Sequence, residues 1–455
     1  MPELLVVLLQ AFLLLLLANR YLGRFFLWAF RKGEEHELDE SYQPTVTVVI
    51  PLFNEGEEIR KTIRSVLEQD YSPDKLDVIV VDDCSTDGSY LHAYREAQGS
   101  PRVRVMRNSV NLGKRRAINR AVRATDAEII VSVDSDVLVN PDAVRLLLRH
   151  FTTPDMAAVG GRVDISNKHD NWLTRMQSVK YFYSYYFTKG LEPAYKSVMC
   201  LSGCLTAYRR SVLLELEPIL EERAVMGVPI KYGEDRFLTR HIVKAGYKTT
   251  MDLDAICKTK AVENLEDYFA QQLRWRRSNI VDYIGGFTHV WKQHPAVAIH
   301  YFSCMAGLLF YPTLITFSLL YGWFWPLIMA QVGLNAAMGV VYSFMSRSQP
   351  QQEKVSPLYI LGLGFVTPVT YCLLVPVAFF TLDSGSWETR GHDEAVTEPN
   401  LSVVPSPVSE SREPGLAPVI GISSGNRSRP FYAPTPRRHR KSSSRDRHRA
   451  ISNHY

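Results

Sequence analysis

The feature that most constrains this chain is the presence of long apolar segments towards both of its ends. Residues Leu4–Ala18 are mostly aliphatic, and the apolar stretch continues through Arg20 and Arg24 to Phe30. About twenty apolar residues are enough for a helix to cross the hydrocarbon core of a bilayer. The sequence therefore predicts a membrane protein with an N-terminal transmembrane helix over residues 1–30.

Four basic residues lie within or just after the end of this segment. They are Arg20, Arg24, Arg31 and Lys32. Because the cytosolic flanks of membrane spans are enriched in Lys and Arg, these residues place the downstream chain in the cytosol. A secretory signal peptide is the alternative, but the segment lacks a basic start and an A-x-A cleavage pattern. We therefore expect a multi-pass protein of the plasma membrane with a cytosolic central domain.

A second apolar region is predicted to form C-terminal transmembrane segments over residues 296–382. From Ala296 to about Tyr342 the hydrophobicity is sustained long enough for two spans, with Pro326 in the turn between them. Pro357–Leu382 is a third apolar segment, which contains Gly362, Gly364, Pro368 and Pro376. A helix interrupted in this way is tolerated in a bilayer only against protein or a water-lined cavity. If it spans, the following residues lie outside the cell; if it re-enters, as we expect, they are cytosolic.

Residues 44–263 have the pattern of a soluble α/β domain. Helical stretches such as Glu57–Gln69 and Arg115–Ala124 alternate with four short apolar runs, which are Val46–Ile50, Val78–Val81, Val103–Met106 and Ile129–Val133. This alternation predicts a parallel, Rossmann-like sheet with crossover helices. The first, second and fourth runs end in the polar clusters PLFNE, DDCSTDGS and DSD. Ligands of such sheets collect at the carboxyl ends of the strands, so these clusters are expected to share one site.

The remaining segments differ from this domain in composition. Residues 264–295 carry the amphipathic stretch DYFAQQLRWRRSN and are expected to lie on the membrane surface. Residues 391–455 are rich in Pro, Ser, Arg and Glu, a composition that predicts disorder. Their basic tip, PRRHRKSSSRDRHR, is either a solvated tail or a segment attracted to anionic lipid.

The charge and cysteine content limit the classes of partner. The formal charge is only +5, with 52 basic and 47 acidic residues, which does not predict a nucleic-acid partner. The six cysteines are scattered through apolar or strand-like sequence and are expected to be reduced, structural thiols.

The paired acids of the DSD cluster predict a metal site. Asp134 and Asp136 follow a buried strand and are separated by one residue. Carboxylate oxygens are hard ligands for Mg²⁺ or Mn²⁺, which commonly bind one or two carboxylates together with substrate phosphates. A bound ion would cancel the repulsion between the two acids and would supply positive charge where a diphosphate departs.

Three further residues are candidates for nucleotide binding. Asp82 and Asp83 end another predicted strand of the same sheet, where they could accept hydrogen bonds from a nucleobase or ribose. Lys114 follows Gly113 in NLGKRRA, and its ammonium suits a nucleotide or its phosphates. The alternative for Lys114 is an exposed lysine at the start of a helix.

Two motifs towards the end of the domain are candidates for the reaction itself. Asp235 follows Glu234 in GEDR, where the two acids are placed either to cap the next helix or, if Asp235 faces the pocket, to take a proton from a sugar hydroxyl. Gln271, Arg274 and Trp275 lie within about one helical turn in QQLRW. Arginine fits a phosphate and indole offers a face for a sugar ring, although a plain interfacial helix would have the same composition.

In order and approximate spacing, PLFNE, the DD pair, DSD, GEDR and QQLRW resemble the processive family-2 glycosyltransferases, which have a GT-A fold. The chain is most similar to the hyaluronan synthases and the rhizobial nodulation chitooligosaccharide synthases. Both groups resemble this chain in NLGKRRA, NKHDNWLTR, SGCLTAYRRS, GEDRFLT and a W-x-T-R signature at residues 387–390. Cys204 departs from the proline usual in hyaluronan synthases, whereas Glu234 matches the nodulation enzymes.

The resemblance implies a role for each matching residue. Asp82, Asp83 and Lys114 would hold the UDP moiety, and Asp136 with Asp134 would hold the metal and the diphosphate. Asp235 would be the general base. Acceptor and leaving-group contacts would come from Gln271, Arg274 and Trp275, and Trp387 and Arg390 would belong to a loop at residues 383–390 that closes over the nucleotide.

The resemblance also implies the reaction. The expected activity is inverting, processive transfer from UDP-sugar donors to a growing polysaccharide, by a cytosolic catalytic domain in contact with membrane lipid. The sequence favours a hyaluronan synthase that uses UDP-N-acetylglucosamine and UDP-glucuronate and also translocates its product. A synthase of chitin-like oligomers that uses UDP-N-acetylglucosamine alone is the alternative. A polyprenyl-phosphate sugar transferase and a catalytically silent membrane scaffold are more distant possibilities.

Overall fold

A computed structural model describes residues 37–383, except for residues 190–191, 222–223, 226 and 231, and four isolated positions nearer the N-terminus. The predicted N-terminal span falls almost entirely outside the described residues. The segment with Trp387 and Arg390 and the basic tail at residues 391–455 also lie outside them.

An eight-stranded mixed sheet forms the centre of the described chain. In sequence order its strands are β1 (Val46–Leu52), β2 (Leu76–Asp82), β3 (Val103–Arg107), β4 (Ile129–Val133), β5 (Leu138–Val139), β6 (Met156–Ile165), β7 (Leu205–Arg209) and β10 (Lys248–Thr259). The spatial order is β3-β2-β1-β4-β7-β6-β10-β5. Two short strands, β8 (Ala224–Val225) and β9 (Val228–Pro229), pair with each other in a separate hairpin.

The four strands predicted from the sequence are present and mutually parallel. All seven residues of β1 are buried, as expected for a parallel strand covered by helices on both faces. Strand β7 differs from the predicted parallel arrangement because it runs antiparallel to β4, with Val133 opposite Leu205. This reversal brings the residues before β7 to the edge of the sheet where β4 ends.

Eight helices accompany the sheet in the described part of the α/β region and the segment that follows it. They are α1 (Glu58–Leu67), α2 (Ser89–Gly99), α3 (Lys114–Arg123), α4 (Ala143–Leu148), α5 (Trp172–Tyr183), α6 (Arg210–Glu221), α7 (Glu234–Lys244) and α8 (Leu265–Gly286). The core between the sheet and the helices contains fully buried side chains such as Ile50, Ile79, Ile130 and Leu147. Burial of each such side chain stabilises the fold by about 1.5–3 kcal/mol, so the core holds the strand edges in place. The six cysteines, all within the described residues, form no disulfide bond.

Among the described residues, three helical segments are long and apolar enough to cross a membrane. They are α9 (Pro295–Leu320), α10 (Phe324–Met345) and Pro357–Phe380, which combines a short 3₁₀ turn with α11 (Leu363–Phe380). The turn between the first two lies at Gly322, whose φ is 76°. Pro326 was expected in that turn but lies in the first turn of α10, where a proline costs no intrahelical hydrogen bond.

The third apolar segment begins and ends beside the rest of the domain. Near its start, a Cβ added to Gly362 would lie 3.1 Å from Met176 Sδ of α5. Just after its end, Arg277 Nε donates to Thr381 Oγ1 at 3.0 Å, and Tyr232 Oη donates to the Leu382 carbonyl at 2.8 Å. Between these points α11 packs along α8. Its exposed side carries an apolar stripe of Phe365, Val369, Leu373 and Val377.

Candidate active site

An ion pair joins the end of β4 to the start of α3. Lys114 is the first residue of α3, and its Nζ lies 2.5 Å from Asp134 Oδ1 and 3.5 Å from Glu234 Oε1. Burial lowers the pKa of Lys114, but the charges of Asp134, Glu234 and Asp235 outweigh it and hold the pKa above its ordinary value. Lys114 is therefore a permanent cation among three acids, and the alternative of an exposed lysine at a helix start is wrong.

Gly203 connects this cluster to Asp235. A Cβ added at Gly203 would lie 2.9 Å from Lys114 Nζ and 3.6 Å from Asp134 Oδ1. The backbone N–H of Gly203 also points to Asp235 Oδ2 at 3.4 Å. The antiparallel strand β7 thus brings a small residue between the Lys114–Asp134 pair and Asp235. Neither Gly203 nor Glu234 was predicted as a site residue, although SGC and GED were visible as motifs.

A left-handed turn places the acids of GEDR. Gly233 precedes α7 with φ 69°, a conformation that glycine adopts at little cost. Glu234 and Asp235 are in the first helical turn, and the helix has no side-chain cap, so the expectation that these acids cap the helix is wrong. Negative charge in the first turn interacts favourably with the helix dipole. Asp235 Oδ1 accepts from the backbone N–H of Arg236 at 2.9 Å, which fixes its direction.

Asp83 holds the loop that leads to Lys114. Its carboxylate accepts hydrogen bonds from Asn108 Nδ2 at 2.7 Å, Leu112 N at 2.9 Å and Gly113 N at 2.6 Å. A carboxylate that accepts several backbone and amide donors fixes their geometry. In this conformation Asp83 therefore fixes the loop that precedes α3. The sequence predicted only that Asp83 contacts a nucleotide.

Asp82 is fully buried at the end of β2. Its Oδ2 lies 3.1 Å from Arg107 Nε and accepts from Ser85 N at 3.3 Å, whereas its Oδ1 is buried without a hydrogen-bond partner in the described part of the chain. Burial raises the pKa of Asp82, against the hydrogen bond from Ser85 and the charge of Arg107. An acceptor atom in this state is suited to a ligand N–H or O–H.

The loops after β1 and β2 hold each other in strained conformations. Asn54 and Cys84 have φ values of 48° and 67°, which are uncommon for residues other than glycine. Asn54 N donates to Ser85 Oγ at 3.0 Å, and Asn54 Oδ1 accepts from Thr86 N at 3.0 Å. Such strain is kept where the surroundings determine the backbone, often at functional sites.

Helix α8 presents QQLRW beside an aromatic residue of α5. The rings of Trp275 and Tyr181 are 6.4 Å apart between centroids, and Lys180 Nζ lies 5.5 Å from the Trp275 ring. The charges of both Asp136 and Arg274 act on the buried phenol of Tyr181. Tyr181 therefore connects QQLRW to the acids after β4.

Several polar atoms of α8 are buried without a hydrogen-bond partner among the described residues. They are Gln271 Oε1, Gln272 Nε2, Arg276 Nε and Asn279 Oδ1. Buried polar atoms of this kind cost free energy unless a ligand or water satisfies them. These atoms lie within and just after QQLRW, so this part of α8 retains unused hydrogen-bonding capacity.

The acids after β4 fit a divalent ion that is completed by substrate. In the described residues, no group of three or more His, Cys, Asp or Glu side chains converges as a metal site. Asp134 and Asp136 alone would leave coordination positions for phosphate oxygens and water, as Mg²⁺ sites commonly do. The Cys204 thiol is a poor competitor because burial, followed by the charges of Asp134 and Asp136, raises its pKa.

A Rossmann-like GT-A sheet with carboxylates and a lysine at its carboxyl edge defines a nucleotide-sugar glycosyltransferase. Residues 47–217 match the family described as Glycosyl transferase family 2. An N-acetylglucosaminyltransferase of Bradyrhizobium diazoefficiens is 30% identical over 360 residues, which cover 78% of this chain and 73% of that one. A Sinorhizobium fredii protein of the same name is 30% identical over 376 residues, with 82% and 88% coverage. The chain belongs to glycosyl transferase family 2 and is similar to these N-acetylglucosaminyltransferases over most of its length.

A solved structure supports the fold. The mannosyltransferase of Pyrobaculum calidifontis, in complex with GDP-Man and Mn²⁺, superposes with a TM-score of 0.53 at 22% identity. The match covers 79% of this chain and 99% of the mannosyltransferase. The GT-A architecture predicted from the sequence is confirmed.

Proposed function

We propose that this protein is a membrane-embedded, inverting and processive β-glycosyltransferase that polymerises N-acetylglucosamine from UDP-N-acetylglucosamine. The observation that carries the proposal is the single cluster in which Lys114, Asp134 and Asp235 meet around Gly203. Such a cluster combines a diphosphate-binding cation, a metal-binding acid and a base. The name shared by the rhizobial relatives supports the choice of sugar.

The choice of N-acetylglucosamine alone reverses the preference drawn from the sequence, which places hyaluronan ahead of chitin-like products. The sequence favours a hyaluronan synthase, but the comparisons do not support that activity specifically. The relatives are named for one sugar, N-acetylglucosamine, and the GEDR sequence of this chain resembles the nodulation enzymes. Hyaluronan synthesis becomes the second candidate, and it additionally requires the pocket to accept UDP-glucuronate.

The donor is held at the carboxyl edges of β1, β2 and β4. The unpartnered Asp82 Oδ1 is suited to a nucleobase or ribose donor group, and Asp83 fixes the loop that presents Lys114 to the diphosphate. Asp134 and Asp136 would hold Mg²⁺ or Mn²⁺. When bound, this ion neutralises the charge that grows on the leaving diphosphate. Lys114 contributes a fixed positive charge on the same side.

The transfer step uses Asp235 as general base. An acceptor hydroxyl attacks the anomeric carbon, its proton passes to an oxygen of Asp235, and the bond between the anomeric carbon and the diphosphate oxygen breaks. UDP leaves with the electron pair of that bond. Attack in line with the leaving group converts an α-linked donor into a β-linkage. The hydrogen bonds from Arg236 N and Gly203 N hold Asp235 in place before substrate arrives.

The acceptor binds on α8. Trp275 would provide an apolar face for the terminal sugar ring, and Gln271 and Arg274 would bind hydroxyl and diphosphate oxygens. Farther along, polar side chains are buried within the helices that could span the membrane, including Gln331, Ser318 and Thr370. Polar residues in such segments are commonly functional, which supports translocation of the product through the protein.

The ends of the third apolar segment support a cytosolic W-x-T-R loop. Thr381 and Leu382 hydrogen-bond to the α7–α8 region, close to the start of α7. We infer that α11 re-enters or lies within the membrane interface, with the stripe of Phe365, Val369, Leu373 and Val377 towards lipid. Residues 383–390, including Trp387 and Arg390, would then lie on the side of the catalytic domain. We also propose the domain boundaries predicted from the sequence and a location in the plasma membrane.

The experiment is to incubate the purified protein with Mn²⁺ and UDP-N-acetylglucosamine, with UDP-glucuronate, or with both donors. The proposal predicts UDP release and a chitinase-sensitive polymer from UDP-N-acetylglucosamine alone. A polymer that forms only with both donors would support hyaluronan synthesis instead. A polyprenyl-linked single sugar would support the lipid-linked transferase, and no UDP release with any donor would favour the scaffold.

A further inference from the structure

Helix α7, which carries Asp235, is docked on helix α8, which carries QQLRW, by contacts just before its start and in its second half. At the start of α7, a Cβ added to Gly233 would overlap Ser278 Oγ and lie 3.0 Å from Ser278 Cβ. Ser278 lies three residues after Trp275, so the two are neighbours on one helical face. The backbone that leads into Asp235 therefore contacts α8 about one turn beyond the tryptophan.

A buried ion pair joins the two helices farther along. Arg240 Nε lies 3.0 Å from Asp282 Oδ1, and the two side chains are only 7% and 4% exposed. Tyr301 Oη of α9 donates to the Asp282 carbonyl at 2.8 Å. The charge of Asp282 also acts on Arg236, the residue after Asp235. Asp282 thus faces α7 at two positions.

Gly285 provides the space for the arginine. A Cβ added at this position would lie 2.6 Å from Arg240 Cζ and 2.8 Å from Arg240 Nη2, far inside van der Waals contact. By contrast, a Cβ added to Gly307 in α9 would meet no heavy atom within 4 Å. The guanidinium fills a notch that only glycine leaves on the surface of α8.

We propose that Arg240, Asp282 and Gly285 are positioning residues that fix the distance and angle between Asp235 and QQLRW. They do not contact substrate; they act through the docking of α7 on α8. The proposal rests on the proposed function, in which Asp235 is the base and α8 binds the acceptor. A displacement of about 1 Å between reacting groups is enough to cost on the order of 100-fold in rate.

The test uses three variants with two matched controls. Asp282→Asn removes the charge opposite Arg240, and Gly285→Ala closes the notch. The double variant Arg240→Met with Asp282→Leu replaces the pair by apolar groups, an exchange that buried ion pairs often tolerate in stability. Asp252→Asn is the control for charge loss. Buried Asp252 lies 2.8 Å from Arg149 Nη2, and neither residue belongs to α7 or α8. Gly307→Ala is the control for added bulk.

The readout is kcat per UDP-binding site, with the sites counted by titration with UDP and Mn²⁺ in detergent. This normalisation removes any loss that is due only to unfolded protein. We expect Asp282→Asn, Gly285→Ala and the double variant to lower kcat per site by about tenfold or more, with UDP affinity within about twofold. Both controls should retain kcat per site. The double variant should lose kcat even if its thermal midpoint equals that of the wild type.

Retention of kcat per site in Asp282→Asn and Gly285→Ala would overturn the proposal. A double variant that recovers both the thermal midpoint and kcat would also overturn it, since the pair would then be purely structural. Asp235→Asn measured in parallel separates failure of the positioning role from failure of the proposed base. If Asp235→Asn is inactive while the positioning variants are active, only the positioning role fails; if Asp235→Asn is fully active, the proposed base fails as well.

Discussion

The donor half and the acceptor half of the candidate site differ in how their polar groups are satisfied. In the donor half, Asp83 accepts three hydrogen bonds from its own loop, and Asp134 is paired with Lys114 at 2.5 Å. In the acceptor half, Gln271 Oε1 and Asn279 Oδ1 are buried without a partner among the described residues. Apart from Asp82 Oδ1, the protein itself satisfies the acids of the donor half, whereas the acceptor half has several unfilled hydrogen-bonding atoms.

This difference has a physical explanation in the proposed reaction. A nucleotide diphosphate is the same group in every cycle, so fixed charges that are oriented in advance stabilise its departure at no further reorganisation cost. A growing saccharide must bind, react and move on by one unit. Side-chain amides that are satisfied only when a sugar hydroxyl is present provide such reversible contacts.

The largest predicted effect comes from Asp235, where the two halves meet. Replacement by Asn keeps the shape of the side chain but removes the proton acceptor, so kcat should fall by about 10²–10⁴-fold. The measurement is UDP release at saturating UDP-N-acetylglucosamine. Affinity for UDP, measured by titration, is the control and should stay near that of the wild type. Full turnover would show that the base lies elsewhere.

Asp136 tests the donor half. Asp136→Asn weakens the proposed metal site, and we expect kcat/KM to fall by about 100-fold, with a higher Mn²⁺ concentration needed for half-maximal rate. The measurement is the rate of the variant and of the wild type as a function of Mn²⁺ concentration. An unchanged Mn²⁺ requirement would remove Asp136 from the metal site.

Gln271 tests the acceptor half. Gln271→Ala removes an amide with an unsatisfied acceptor atom, and we expect the KM for a chitooligosaccharide acceptor to rise by about tenfold, the equivalent of one hydrogen bond. The KM for the donor should be unchanged. If donor binding weakens instead, the two halves are not separate in the way their hydrogen bonding indicates.

The smallest effect is on stability and depends on pH. Burial, followed by the charge of Arg240, lowers the pKa of His241 and of His289 to about 4. The unfolded chain binds protons below about pH 6.5 and the folded chain only near pH 4, so the stability present above pH 6.5 declines as the pH falls through this interval. The loss for His289, which is 4% exposed, is on the order of 2 kcal/mol.

Thermal midpoints measured in detergent at pH 7 and pH 5 check this expectation. The wild type should have the lower midpoint at pH 5, and His289→Leu should reduce the difference between the two pH values. A difference that is equal in His289→Leu and the wild type would show that His289 does not contribute. His289 follows the end of α8, and the charge of Arg240 acts on it, so the same measurement reports on the region where α7 and α8 meet.

The first four strands could be predicted because each is a short β-branched run followed by polar residues. The direction of β7 could not, because it depends on the pairing of Val133 with Leu205, which are far apart in sequence. The same limit applied to the site. Asp134, Asp235 and Lys114 were identified as candidates through local motifs and a family resemblance. The contact of Gly203 with Lys114 exists only after β7 has paired with β4.

The roles of individual acids were also beyond the sequence. Asp82 and Asp83 are adjacent and chemically identical, yet one is buried against Arg107 and the other binds the backbone of residues 112–113. Glu234 was interpreted as part of a helix cap, but the left-handed turn at Gly233 places it in the helix and near Lys114. These outcomes depend on loop geometry, which residue type alone does not determine.

The central claim is that one reaction centre, with Asp235 as its base, lies between the two halves. The most direct measurement is an experimental structure of the full chain with UDP, Mn²⁺ and a chitooligosaccharide. We predict the ion between Asp134 and Asp136 on the diphosphate, the terminal sugar against Trp275, and its attacking hydroxyl about 3 Å from Asp235. A terminal hydroxyl directed to Glu234, or a saccharide bound away from α8, would contradict the account.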